Sequence, residues 1–184
     1  MDKKVLIEIA KKAILDKLNS TNLLNRDEYL RNYPFLNEKR ATFVTLNKNL
    51  QLRGCIGSLL PYNLLIDDLI HNAKAAAFSD PRFKPLTKNE FDDLDIEISL
   101  LSIPEKVEYK DKEDLKNKIR KGIDGVILKH SFFRATFLPQ VWEQLPDFDL
   151  FFAHLCQKAG LNYDCLNLHP EIEVYQVEKI TDNL

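Results

Sequence analysis

The stretch Leu94-Asp95-Ile96-Glu97-Ile98-Ser99-Leu100 constrains the fold more than any other part of the chain. Leu94, Ile96, Ile98 and Leu100 fall on one side of an extended backbone, and Asp95, Glu97 and Ser99 fall on the other. Residues 94–103 therefore read as a strand with one side for a core and one side for polar groups.

Its neighbours fix the fold class. Residues 41–46 and 50–56 are rich in strand formers and flank Asn47-Lys48-Asn49, which predicts a β-hairpin. Strands are also expected over 125–129 and 133–137, with a last one over 171–179 at a sheet edge. Val5, Leu6, Ile9, Ala10, Ala13 and Ile14 mark an amphipathic first helix ending near Leu18. A second helix spans about 63–78, where small alanines permit close packing. Thr87 and Glu90 form a capping box opening a short helix. Helices are expected over 111–121, closed by Gly122, around Trp142, and over 149–159, stopped by Gly160. Residues 19–40 read as an ordered connection with one helical turn, anchored by Tyr29, Tyr33 and Phe35. Too many strands are adjacent for a doubly wound parallel sheet. The expected class is α+β, with a largely antiparallel sheet covered by helices.

With 26 Lys and Arg against 28 Asp and Glu, the net charge is −2, and no basic stripe stands out. Nucleic-acid binding is disfavoured. No run approaches the ~20 apolar residues that cross a bilayer, and the charged N-terminus lacks a signal-peptide core. The three cysteines are irregularly spaced, so Cys156 and Cys165 read as packing residues and a reducing cytoplasm fits best. His154 and Cys156 lie two apart on a helix, and there is no CxxC, HExxH or Gly-rich phosphate loop, so neither a metal nor a cofactor is implied.

Leu52-Arg53-Gly54-Cys55-Ile56-Gly57 carries the candidate chemistry. On a strand, Arg53 and Cys55 share one face while Leu52, Gly54 and Ile56 share the other. A guanidinium beside a thiol favours the thiolate. Gly54 and Gly57 admit a close approach by a backbone or a ligand. The alternative is a small buried cysteine with glycines serving a bulge. In Ser79-Asp80-Pro81-Arg82-Phe83, proline rigidity presents Asp80 and Arg82 for gripping a polar ligand, or Arg82 pairs with Asp80 to close the loop. Glu97 is either a general base or a solvated strand acid. Gln140 offers a donor to a carbonyl or phosphate.

FVTLNKNLQLRGCIGSLLP, AKAAAFSDPRFKPLTKNEF, LDIEISLLSIPEKV, GIDGVILK, TFLPQVWEQ and LCQKAGL, in that order, resemble the AMMECR domain family. That family is named for the candidate gene of a human contiguous-deletion (AMME) syndrome. The resemblance runs from about Ala41 to Val177. It implies a two-lobed α/β protein, with a larger lobe of residues 1–57 and about 95–184 and a smaller inserted lobe of about 58–94. It also implies that residues 52–57 and 79–83 line a groove between the lobes. Prokaryotic members occur in AmmeMemoRadiSam systems, so a Memo-like protein and a radical SAM enzyme are the implied partners. Two departures, Arg40-Ala41-Thr42 and Lys129-His130-Ser131, replace glycine-bearing positions and are expected to alter loops only.

Two functions follow as expectations. In one, Cys55 is a nucleophile or thiol acid/base, Arg53 stabilises the thiolate or an anionic substrate, and Glu97 assists proton transfer. In the other, the protein is a binding component without catalysis, and Arg53, Asp80, Arg82 and Gln140 recognise a partner protein or a small anionic ligand.

Overall fold

A computed structural model describes residues 3–182. In chain order the elements are α1 (Lys4–Asn19), α2 (Arg26–Asn32), β1 (Thr42–Lys48), β2 (Gln51–Gly57), α3 (Leu65–Phe78), α4 (Lys88–Phe91), β3 (Leu94–Leu101) and β4 (Glu105–Val107). Then come α5 (Lys112–Lys118), β5 (Gly125–His130), β6 (Phe133–Phe137), α6 (Val141–Gln144), α7 (Phe148–Lys158), β7 (Glu171–Tyr175) and β8 (Val177–Thr181). Short 3₁₀ turns cover Pro34–Asn37 and Cys165–Leu168. No described helix is long and apolar enough to cross a membrane.

The chain is α+β, with two four-stranded sheets in place of the single one expected. The described residues divide into two compact units. The first runs through Leu101 and resumes at Glu178, and the second is Ser102–Val177. These boundaries differ from the ends of the 58–94 segment, because α3 packs on β1 and β2 of the first unit.

In the first unit the sheet order is β2-β1-β3-β8. Leu94, Ile96, Ile98 and Leu100 of β3 are buried with α1 and α3 in one core, so the alternation places the helices on a single face. Gly54 explains how α3 comes so close: a Cβ there would sit 2.2 Å from the Ala76 carbonyl oxygen. A buried network holds the same helix to the start of β1. Asp68 accepts from the Thr42 N–H at 2.8 Å, the Thr42 hydroxyl at 2.7 Å and the Asn72 amide at 2.9 Å. The connection 19–40 holds more helix than the one turn expected. Tyr29 anchors it by donating to Glu8 of α1, and Tyr33 and Phe35 pack on the core.

The β1–β2 hairpin turns two residues later than the sequence suggests. Asn49 and Leu50 both take positive φ, 52° and 63°, as a tight two-residue hairpin turn requires, so Asn47 and Lys48 remain in the strand. The Thr87–Glu90 capping box forms as expected.

The second unit has sheet order β4-β7-β5-β6 and an aromatic core in which Trp142 stacks on Phe151 at 3.6 Å between ring centroids. Gly122 and Gly160 take positive φ after α5 and α7. Ser131 reaches φ 54° at the β5–β6 turn without a glycine. The strand expected over 171–179 is two strands broken at Gln176. Its first half, β7, lies between β4 and β5, and its second half, β8, is the edge beside β3. Ser102 and Gln176 bond to each other at the break, by Ser102 N–H to Gln176 O at 2.8 Å and Gln176 N–H to Ser102 Oγ at 2.9 Å.

The expectation for the cysteines is corrected here. Cys156 and Cys165 are buried and joined in a disulfide, because the turn after Gly160 brings the 3₁₀ turn back beneath α7. That bond removes one ground for assigning a reducing compartment. Cys55 is the free cysteine.

Candidate functional site

β2 pairs with β1 at Phe43–Gly57, Val44–Ile56, Thr45–Cys55 and Leu46–Gly54, and then the register shifts so that Asn47 faces Leu52. Arg53 is the extra residue of a β-bulge. The expected alternation is therefore broken: directly opposed residues share a face, so Leu52 joins the face of Asn47, Thr45 and Cys55. Gly54 keeps the helix side, against Ala76. Gly57 lies under the Phe43 ring, which a Cβ would meet at 2.2 Å.

The face away from α1 and α3 carries one row across the sheet. Cys55 stands opposite Thr45, Thr45 stands opposite Glu97, and Glu97 pairs with Lys179 of β8 at 3.2 Å. The Thr45 hydroxyl donates to Cys55 Sγ at 3.3 Å. Cys55 and Glu97 are two strand spacings apart, roughly 9–10 Å, so they do not touch.

The loop after α3 closes on the outer edge of β2. Asp80, only 4% exposed, accepts the Cys55 N–H at 2.9 Å and the Arg82 N–H at 3.1 Å. Arg82 Nε and Nη2 bind the same carboxylate at 3.0 and 2.7 Å, and Nη2 also donates to the Cys55 carbonyl at 3.2 Å. Both backbone groups of Cys55 thus point away from β1. This makes Thr45–Cys55 a non-hydrogen-bonded pair, the kind that brings side chains closest, and it caps an open strand edge with side chains. The Arg82 guanidinium and the two N–H groups hold the Asp80 carboxyl well below the usual carboxylate range against the opposing effect of burial. Asp80 raises the Arg82 value in turn, and the Cys55 side chain acts on Arg82 in the same direction.

Arg53 turns along the edge instead. Its guanidinium donates to Glu90 at 2.9 and 3.3 Å and to the Lys84 carbonyl at 2.9 Å. Glu90 is drawn down to about 2, first by Arg53 and then by the Thr87 N–H of the capping box. Arg53 and Arg82 both lie near the Phe83 ring, 5.9 and 5.5 Å from its centroid. Asp80, Arg82, Arg53 and Cys55 therefore converge, Glu97 stands in the thiol's row, and Gln140 belongs to the second unit, exposed at the start of α6.

A family model described as AMMECR1 matches residues 7–180. The chain belongs to the AMMECR1 family. This AMMECR1 chain is 39% identical over 176 residues to a protein from Methanothermobacter thermautotrophicus, covering 95% of this chain and 90% of that one. It is 42% identical over 171 residues to protein LS215_2104 from Saccharolobus islandicus, covering 87% and 72%. The crystal structure of the uncharacterized protein PH0010 from Pyrococcus horikoshii resembles it with a TM-score of 0.75 at 34% identity, over 97% and 90% of the two chains.

Sequence reasoning missed three members of this cluster of side chains. Thr45 was visible as the polar member of Phe43-Val44-Thr45, but naming it needed the register. Glu90 was recognised only as a cap, and Lys179 only as part of an edge strand.

Proposed function

We propose that this AMMECR1 protein is a cysteine-dependent enzyme whose reactive group is the Cys55 thiol. The reading rests on the way Cys55 is held: a buried carboxylate fixes its N–H, an arginine fixes its carbonyl, and the half-buried thiol meets a hydroxyl at 3.3 Å. A cysteine serving as a small core hydrophobe has no use for such constraint. Cys55 acts as the nucleophile or as a thiol acid/base, Arg82 supplies positive charge beside it, and Arg53 braces the edge through Glu90. Glu97, two strands away in the same row, takes or returns a proton on the bound substrate and not on the thiol. The family resemblance adds the setting, a component working beside a Memo-like protein and a radical SAM enzyme.

The test is the rate of iodoacetamide alkylation of Cys55, followed by peptide mapping at pH 7. The expected result is faster modification than of a cysteine in an unstructured peptide. A rate equal to or below that of the peptide ends the catalytic reading.

A further inference from the structure

We infer that the substrate of this site carries an oxyanion, a carboxylate or a phosphate, which docks on the outer edge of the Arg82 guanidinium beside Cys55. This rests on the proposed role of Cys55 and adds the chemical class that the site selects.

The argument starts with a donor count. A guanidinium has five N–H groups. In Arg82 the Nε proton goes to Asp80, and the two Nη2 protons go to Asp80 and to the Cys55 carbonyl. Both Nη1 protons have no partner among the described residues, and the side chain is 54% exposed. The remaining donors are not those of a mobile surface arginine. Asp80 grips the group along its Nε–Nη2 edge, which leaves the opposite end fixed in direction. An anion meeting Nη1 loses little conformational freedom in the protein, and charge-assisted bonds of this type are the strong ones.

The local charge agrees. Arg53 and Arg82 are each matched by one carboxylate, Glu90 and Asp80. Both carboxylates are the inner partners of the arginines, with side chains 2% and 22% exposed. Lys84 and Lys88 are exposed and have no ion-pair partner among the described residues. Two exposed lysines thus adjoin the free end of Arg82 in the chain, and the Phe83 ring lies near both guanidiniums.

The experiment compares alkylation of Cys55 by iodoacetate and by iodoacetamide, reagents that differ in a carboxylate, with N-acetylcysteine amide as the reference thiol. The iodoacetate-to-iodoacetamide rate ratio is expected to exceed the reference on the order of tenfold, the worth of one charge-assisted hydrogen bond. It should fall to the reference in Arg82→Gln and shrink with added salt. A wild-type ratio equal to the reference overturns the inference, even where iodoacetamide confirms a reactive thiol. A second measurement needs neither a reactive cysteine nor a variant. The Cys55 amide and Arg82 Nε–H resonances of the wild-type protein are followed while sodium acetate or sodium phosphate replaces chloride at constant ionic strength. Saturable shifts support the anion site, and the stronger arm identifies carboxylate or phosphate. Shifts no larger than those in chloride overturn it. Slow iodoacetamide alkylation with saturable anion shifts removes the catalytic role and keeps the anion site.

Discussion

The two units use the same parts for different ends. Each has an aspartate buried against an arginine that stays more than half exposed: Asp80 with Arg82 in the first, Asp124 with Arg120 in the second. In the second unit everything around the pair is structural. Asp124 accepts from the Arg120 N–H at 2.8 Å and from the Gln176 amide at 2.8 Å, and its own carbonyl accepts the Trp142 indole N–H at 3.0 Å. The cysteines of that unit are bonded to each other in the core. In the first unit the equivalent aspartate holds the backbone of a strand residue whose thiol is free. A buried aspartate–arginine pair is therefore no mark of a site by itself. The mark is the group the pair immobilises.

Breaking that contrast gives a graded set of expectations. Asp124→Ala strands the Gln176 amide and the Arg120 N–H and is expected to cost about 3 kcal/mol in a urea melt, with Cys55 alkylation unchanged. A comparable change in the alkylation rate would erase the distinction between the pairs. Replacing Cys156 and Cys165 by serine opens a link between residues nine apart, and loop-closure entropy sets its loss at about 2.5 kcal/mol. Thermal melts with and without reductant check it, since only the parent should respond.

Asp80→Ala is expected to cost about 2 kcal/mol, less than its counterpart, because the Cys55 N–H it abandons lies at a sheet edge that water can reach. It should nevertheless change Cys55 alkylation several-fold, which Asp124→Ala should not. The smallest effect is in acid. Glu90 sits at about 2 in the folded protein against an ordinary 4.5, so the folded state holds its proton less readily than the unfolded chain does. Its contribution is complete above pH 4.5 and disappears as the pH falls toward 2. Stability of Glu90→Gln should therefore depend less steeply on pH across that window. Equal slopes would show that the Arg53–Glu90 pair contributes nothing to folding.

What the sequence revealed and what it hid divide along physical lines. The strand at 94–101, the Thr87–Glu90 cap and the helix stops at Gly122 and Gly160 were legible, because each depends on residues a few positions apart. The loop-closing role weighed for Asp80 and Arg82 is also local, two residues apart. The bulge at Arg53 was not legible, since nothing in LRGCIG marks it and it emerges only against Asn47 of β1. It sent Arg53 to Glu90 and left Arg82 as the guanidinium beside Cys55. The break at Gln176 was equally hidden: the alternation runs on through 171–179, and the chain divides there because Ser102, 74 positions earlier, takes both of its backbone groups.

That division bears on the order in which the protein is made. The sheet carrying Cys55 is completed by β8, which follows the whole second unit in the chain, and ion pairs tie that return to the first helix and the residue before it: Lys11 to Asp182 and Lys3 to Glu178. During synthesis the β1–β2 hairpin and β3 wait with one edge open while the whole of Ser102–Val177 emerges. The second unit, contiguous in the chain, can fold on its own schedule. A nascent chain halted before Val177 should expose the β3 edge to pairing with other strands, so β8 acts as the latch on the sheet that carries Cys55.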